Sequence, residues 1–212
     1  MDRRFPIRKF QPENFAPFFG EKTDQLRVEL LTGGACNSNY LVETPDGDRF
    51  VCRIHLRGSP EAEQHITQLA KDIAPCPEYL WVGDGVSVQN YIDGQHFEPT
   101  EERMQNAGRI IGQLAQLKFD QTGIIGLDET ITPFEGWTTI TDGLNQLLEN
   151  PKVQVYLSAK LRKDVAALLK KEALRLSEFD AYHNLVHGDF RPDNLLIKGN
   201  TCLLYTSDAA DD

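Results

Sequence analysis

Up to about residue 94, apolar positions alternate with polar ones or fall in short blocks between turn residues. Beyond it they recur every three to four. LRVELL, residues 26–31, alternates; a Gly-rich stretch, TGGACNSN, follows; then YLVET and RFVCRI flank Pro45-Asp46-Gly47-Asp48. Pro followed by Asp-Gly between two β-rich runs predicts a hairpin, because Gly accepts a positive φ. Ser59-Pro60-Glu61 predicts a helix start: Ser caps, Pro suits the first helical position, and Glu favours the positive end of the dipole. Its expected apolar face is Ala62, Ile66, Leu69 and Ile73, with Pro75 ending it. Tyr79–Val82 and Val86–Ile92 read as two further strands around Gly83-Asp84-Gly85.

The helical part begins with Thr100 as a cap and a stripe of Met104, Ala107, Ile111 and Leu114, widened by Ile110 and Leu117. Residues 121–138, rich in Gly, Thr and Pro, read as a loop. Shorter helices near 141–149 lead to a long one near 158–178, with Leu161, Val165, Leu168 and Leu176 as its expected buried face. His183–Asn194 reads as a loop and Leu195–Ile197 as a short strand. The pattern predicts an α+β architecture, with a mostly β lobe over 1–93, a helical lobe over 94–201, and a cleft between them.

Composition narrows the classes. The 212 residues carry 22 basic and 32 acidic side chains, a formal charge of −10, and a pI of about 5.0. The length provides enough chain for a sizeable core. An acidic balance argues against a nucleic-acid partner. No apolar run approaches the roughly 18–20 residues needed to span a bilayer, so no membrane partner is expected. The opening MDRRFPIRKF lacks the apolar run of a secretory signal. Cys36, Cys52, Cys76 and Cys202 stand singly, which indicates neither a zinc site nor a disulfide framework and fits a reducing cytoplasm. The segment Cys202–Asp212, CLLYTSDAADD, agrees at all its positions with the translation of a transposon-based sequencing-library adaptor. It is therefore expected to be an unnatural appended tail, left aside in reading the fold, with the natural sequence diverging after Thr201.

The candidate chemistry lies in Leu185-Val186-His187-Gly188-Asp189-Phe190-Arg191-Pro192-Asp193-Asn194-Leu195-Leu196-Ile197. Two apolar residues lead into His-Gly-Asp, and Asn follows the Asp by five, directly before an apolar strand. A metal site built on His183, His187 and Asp189 would need helical spacing, whereas Gly188 and Pro192 point to a loop. The segment resembles the catalytic loop of the protein-kinase-like fold, in the H-G-D form of aminoglycoside phosphotransferases and choline kinases. Phosphoryl transfer to a hydroxyl needs a carboxylate that accepts or orients the hydroxyl proton, and a neutral oxygen ligand for Mg²⁺ nearby. The resemblance implies the first role for Asp189 and the second for Asn194. It also implies that Arg191 touches the transferred phosphate and that His187 braces the loop.

Upstream parts follow the same order. Leu31–Tyr40 joins two strands where this family folds a loop over the ATP phosphates. Gly33 and Gly34 there permit close backbone approach. Phe50-Val51-Cys52-Arg53-Ile54 resembles V-A-I-K with Arg in place of Lys. Alternation puts Val51 and Arg53 on one face. The resemblance implies Val51 over the adenine and Arg53 at the α/β-phosphates, a role that suits a guanidinium fork. Glu63, in phase with Ile66 and Ala70, is expected to pair with Arg53, and Glu61 to face solvent. VSVQNYIDG, residues 86–94, resembles the segment linking the lobes in thiamine- and choline-kinase-like proteins, which implies that backbone groups near Gln89 and Tyr91 meet the adenine edge. LAQLK at 114–118 resembles the family's L-A-x-L-H helix but departs from it at Lys118, and Trp137 reads as a packing aromatic.

Together these parts imply an ATP- and Mg²⁺-dependent small-molecule kinase acting on a hydroxyl substrate. The acidic balance leans toward a cationic one such as an aminoglycoside, choline or thiamine. Homoserine, a macrolide or a sugar amine are the other acceptor classes. The alternatives are a pseudokinase-like module that binds nucleotide without transfer, and a structural α+β protein with a chance H-G-D. The family's second Mg²⁺ ligand, an Asp in an apolar-apolar-Asp-aromatic motif, would follow the strand after Asn194, where the adaptor-like tail begins. The 212-residue chain is therefore expected to lack turnover and to expose apolar surface of its helical part.

Overall fold

In a computed structural model of the chain, residues 5–31, 36–56, 58–127, 130–188, 190–199 and 201–204 are described. They fall into two compact units, residues 1–116 with 186–212, and residues 117–185.

The first unit is built on an antiparallel five-stranded sheet. After a short helical turn, α1 (Ala16–Phe19), come β1 (Arg27–Leu31), β2 (Ser38–Glu43) and β3 (Arg49–Ile54), then α2 (Pro60–Ala70), β4 (Tyr79–Gly83) and β5 (Val86–Asn90). The strand order is β1-β2-β3-β5-β4. The β2–β3 turn closes at Gly47, whose φ of 87° few other residues adopt at low cost, and whose N–H donates to the Thr44 carbonyl at 2.9 Å. Alternation gives the sheet two unlike faces. On one, Tyr40, Val42, Cys52, Val86 and Val88 form a core with Phe10, Phe15 and Phe19 from the segment before β1. The sequence reading assigned that aromatic segment no role, yet it covers the sheet. The opposite face carries Asn39, Val51, Arg53, Ser87 and Gln89, all buried.

Helix α2 begins as expected: the Ser59 hydroxyl accepts from the Ala62 N–H at 3.3 Å, and Pro60 occupies the first position. It ends at Ala70, before the expected Ile73, and its buried residues are Pro60, Thr67 and Ala70, while Ala62, Ile66 and Leu69 are half-buried. The face is rotated toward Glu63 because that carboxylate has a buried cationic partner, described below. Next come the two-residue strand β6 (Gln95–His96) and the 14-residue helix α3 (Glu101–Leu114), the latter capped by the Thr100 hydroxyl. Helix α3 buries Ala107, Ile110 and Leu114, whereas Met104 and Ile111, expected inside, are 55% and 39% exposed.

In the second unit, residues 121–138 were expected to be a loop. They instead contain a small hairpin of β7 (Gly123–Ile125) and β8 (Ile131–Pro133), the two strands paired only with each other. Gly123 is required there, since a Cβ would collide with the Thr132 carbonyl. Helices α4 (Ile140–Glu149), α5 (Pro151–Tyr156) and α6 (Ala159–Ser177) follow, capped by Thr139, Asn150 and Ser158. On α6 only Leu169 is buried. Val165 and Leu176 are half-buried, and Leu161 and Leu168 face outward. The apolar stripe is broader than the face its neighbour α4 covers.

The chain then returns to the first unit for β9 (Leu195–Lys198) and β10 (Thr201–Leu204), which form a second sheet in the order β10-β9-β6. Of the adaptor-like tail, which the sequence reading left aside, the first three residues lie in β10, and Cys202 is buried. Cys-Leu-Leu is a strand-compatible apolar run, and the open edge of β9 offers unpaired backbone groups to it. Among the described residues, no helix is long and apolar enough to cross a membrane.

Candidate functional site

Arg53 organises the polar face of the large sheet. Its residue is 1% exposed, so its charge must be paired. The partner strand supplies Asn39 directly opposite in register, and Arg53 Nε donates to Asn39 Oδ1 at 3.0 Å. Helix α2 supplies Glu63, whose Oε2 accepts from an Arg53 terminal nitrogen at 2.8 Å. The same carboxylate oxygen accepts from the Tyr79 hydroxyl of β4 at 2.6 Å. His55 Nδ1 lies 3.6 Å from Glu63 Oε1. Its other ring nitrogen lies 2.9 Å from Ser87 Oγ. Burial alone would raise the Glu63 pKa. His55, the Arg53 guanidinium and the Tyr79 hydroxyl outweigh it and hold the carboxyl at about 2. Glu63 is therefore an anion at any ordinary pH, and it fixes the orientation of Arg53.

Val51 and Gln89 stand opposite each other between β3 and β5, on the same face as Arg53. Tyr79 pairs with Gln89 from the other side. Val51 is 2% exposed and Gln89 fully buried. The backbone at the end of β5 is largely committed: Asn90 N–H donates to the Glu78 carbonyl at 3.0 Å, and Tyr91 N–H to the Arg49 carbonyl at 3.4 Å. The Tyr91 ring lies beneath the Arg49 guanidinium, 4.5 Å from its centroid. Glu61, expected to face solvent, stands beside the cap, where its Oε2 accepts from the Ser59 hydroxyl at 2.6 Å.

The His-Gly-Asp segment leads into a 3-10 turn, Pro192–Asn194, in which Asn194 N–H donates to the Arg191 carbonyl at 3.0 Å. Asn194 is 7% exposed and enters β9 directly. Gly188 adopts a φ of 80°, and the His187 and Phe190 rings meet edge to face at 5.9 Å. β9 is tied to the segment after Tyr91, since Gln95 and His96 pair with Ile197 and Leu196. Gly94 leaves that crossing uncrowded, since a Cβ there would sit 3.2 Å from the Ile197 carbonyl oxygen. Lys118, where the family pattern has His, bridges to Asn184 as an isolated β-pair within the second unit. Trp137 packs on Phe134 and against Gly143.

The structure thus gathers Val51, Arg53, Glu63 and Gln89 on one sheet face, and puts Arg191 and Asn194 in one turn. Gly33, Gly34 and Asp189 lie outside the described residues. Among the described residues, no group of three His, Cys, Asp or Glu side chains is placed to hold a metal. Asn39, His55 and Tyr79 complete the Arg53–Glu63 cluster and escaped the sequence reading. Only strand register, which puts Asn39 across from Arg53, could have singled one of them out.

An antiparallel sheet with one inserted helix bearing a Glu for the strand Arg, and later a turn at Pro192–Asn194 entering a strand, is the arrangement of kinase-like phosphotransferases. Solved structures agree on the fold. A thermostable mutant of aminoglycoside phosphotransferase APH(4)-Ia, in ternary complex with AMP-PNP and hygromycin B, superposes with a TM-score of 0.63 at 18% identity, over 92% of this chain and 69% of that one. The macrolide 2'-phosphotransferase of Brachybacterium faecium gives 0.61 at 15%, over 86% and 64%. Plasmodium vivax ethanolamine kinase gives 0.57 at 14%, over 91% and 58%. No curated protein matches the chain. The model of the phosphotransferase enzyme family matches residues 27–204, and the chain belongs to that family.

Proposed function

We propose that the chain carries the nucleotide-binding and catalytic-loop parts of an ATP- and Mg²⁺-dependent kinase that transfers the γ-phosphoryl group to a hydroxyl of a small molecule. The observation that carries this reading is the pair of buried Arg53 and largely buried Glu63, 2.8 Å apart, where helix α2 meets the sheet face that also holds Val51 and Gln89. A cation so fixed suits the α/β-phosphates, and the neighbouring Val51 suits an apolar base. Gly33 and Gly34 would let backbone N–H groups approach the phosphates, and Gln89 and Tyr91 would lie at the base edge.

The Asn194 side-chain carbonyl is a neutral oxygen of the kind Mg²⁺ takes, on a turn anchored by its own backbone. When bound, the metal and nucleotide supply the neutralised phosphoryl group. The chain's own work is to orient it. Asp189 accepts or directs the proton of the attacking hydroxyl, Arg191 offsets charge on the transferred group, and Arg53 fixes the phosphates that stay behind. A division near residue 93 into a nucleotide-binding and a helical lobe belongs to this reading, as do a cytoplasmic location, an unnatural tail from 202 and a turnover-deficient 212-residue chain. Without Asp208, Asp211 and Asp212 of the tail the charge of −10 becomes −7, and that acidic balance leans toward a cationic acceptor.

The test has two parts. Mg·ATP should raise the melting temperature of the chain, and its failure to do so would overturn the reading. In a protein that carries this segment together with the second metal-ligand motif, Asp189→Ala should lower kcat on a panel of hydroxyl substrates by about 10²-fold or more. Unchanged turnover would remove Asp189 from the mechanism.

A further inference from the structure

Strand β4 contains an irregularity that decides where one hydroxyl points. Trp81, Val82 and Gly83 pair with Val88, Ser87 and Val86 of β5, and Trp81 packs against the apolar core. Strict alternation from there would set Leu80 opposite Gln89 and return Tyr79 to the core face, beside Trp81. The register instead shifts between Tyr79 and Trp81. Tyr79 itself stands opposite Gln89, and Leu80, exposed to solvent, is the extra residue. This bulge carries the Tyr79 side chain across to the polar face of the sheet. There its hydroxyl donates at 2.6 Å to Glu63 Oε2, the oxygen that also accepts from Arg53 at 2.8 Å.

The two members of the Arg53–Glu63 pair are held unequally. Arg53 lies within the sheet, where Asn39 also accepts from its Nε at 3.0 Å. Glu63 arrives on α2, of whose 11 residues Pro60, Thr67 and Ala70 are buried, so apolar burial contributes modestly to seating the helix. A hydroxyl bonded to a carboxylate is stronger than a bond between neutral groups, and this one ties α2 to the edge strand β4. Packing an aromatic ring would not require the bulge, since the core face already accepts rings. Placing a hydroxyl on Glu63 does require it.

With its effect on ATP resting on the nucleotide-binding reading above, we propose that Tyr79 is a positioning residue. Its hydroxyl anchors Glu63 and helix α2 to the sheet and thereby holds the Arg53–Glu63 cluster in the geometry that binds nucleotide. Tyr79 itself touches no ligand.

Tyr79→Phe in the 212-residue chain removes the hydroxyl, keeps the ring and tests this. Hydrogen exchange read by mass spectrometry should show the α2 amides exchanging about tenfold or more faster, with those of β2, β3 and β5 unchanged. In calorimetry, Mg·ATP affinity should fall about tenfold, while adenosine, which has no phosphates, should bind within about twofold of wild type. In a Glu63→Gln background the same substitution should move either readout by no more than about twofold. Faster exchange spread evenly over helix and sheet, or loss of cooperative melting, would make the hydroxyl a general structural requirement and overturn the proposal. So would unchanged α2 exchange, unchanged Mg·ATP affinity in a chain that binds it, equal losses for ATP and adenosine, or an effect that persists at full size beside Glu63→Gln. If α2 loosens as expected but the wild-type chain binds no Mg·ATP, the nucleotide-binding reading falls and the anchoring of α2 stands.

Discussion

The large sheet and the 117–185 unit are built from similarly clear local signals but end up very differently packed. In the sheet, strands β2, β3 and β5 are buried on both faces, one against Phe10, Phe15 and Phe19, the other around Arg53 and Gln89. In residues 117–185, three helices have well-formed caps, yet among the described residues only Gly143, Leu148 and Leu169 are buried. Val155, Tyr156 and Leu174 are at least 80% exposed. Caps and helix propensity form helices, whereas a core needs facing surfaces that exclude water. The Arg53–Glu63 pair of the first unit sits where that exclusion is nearly complete, at 1% and 16% side-chain exposure, so its charges are paired and fixed. Side chains of the second unit are mostly solvated and individually expendable.

The contrast is broken most forcefully at Arg53. Arg53→Met should cost about 3–5 kcal/mol in urea unfolding, because it leaves Glu63, only 16% exposed, as a largely buried anion without its main cation. Glu63→Gln in the same chain should return much of that loss, and a simple sum of the two single costs would mean that the pair is not coupled. A somewhat smaller effect is expected from acid. The Glu63 carboxyl is held at about 2 against an ordinary 4.5, so its contribution is fully present above pH 4.5 and is lost as the pH falls toward 2. That loss should amount to about 3 kcal/mol, and stability against pH in Glu63→Gln should lack this part of the slope. The smallest effect belongs to the second unit. Leu174→Lys on α6 should change unfolding stability by no more than about 0.5 kcal/mol, since the side chain is 82% exposed. A larger loss would mean that this surface is covered in solution.

Much of the architecture was legible because it is local. The Asp-Gly turn before β3, Ser59 and Thr100 as caps, and the alternation that separates Cys52 from Arg53 each depend on residues within a few positions of one another. The choice of Glu63 over Glu61 as the partner of Arg53 could be read from helical phase. The hairpin at β7 and β8 was not legible, since its strands are three residues long and hold together only through each other. Nor was the outward turn of Met104, Leu161 and Leu168. An apolar stripe states which face could be buried, and the presence of a neighbour decides whether it is.

The sequence by itself determined the family-like order of parts, the identity of the charges, and the turn that carries Arg191 and Asn194. Periodicity and turn chemistry act over one or two helical turns or a single hairpin. Only the tertiary structure decided that Asn39, Tyr79 and His55 converge on the Arg53–Glu63 pair, that an N-terminal aromatic segment seals the sheet, and that Gln89 is buried with both amide atoms unpaired. Those outcomes depend on register between strands far apart in the chain and on which groups are left without water, and no local pattern encodes either.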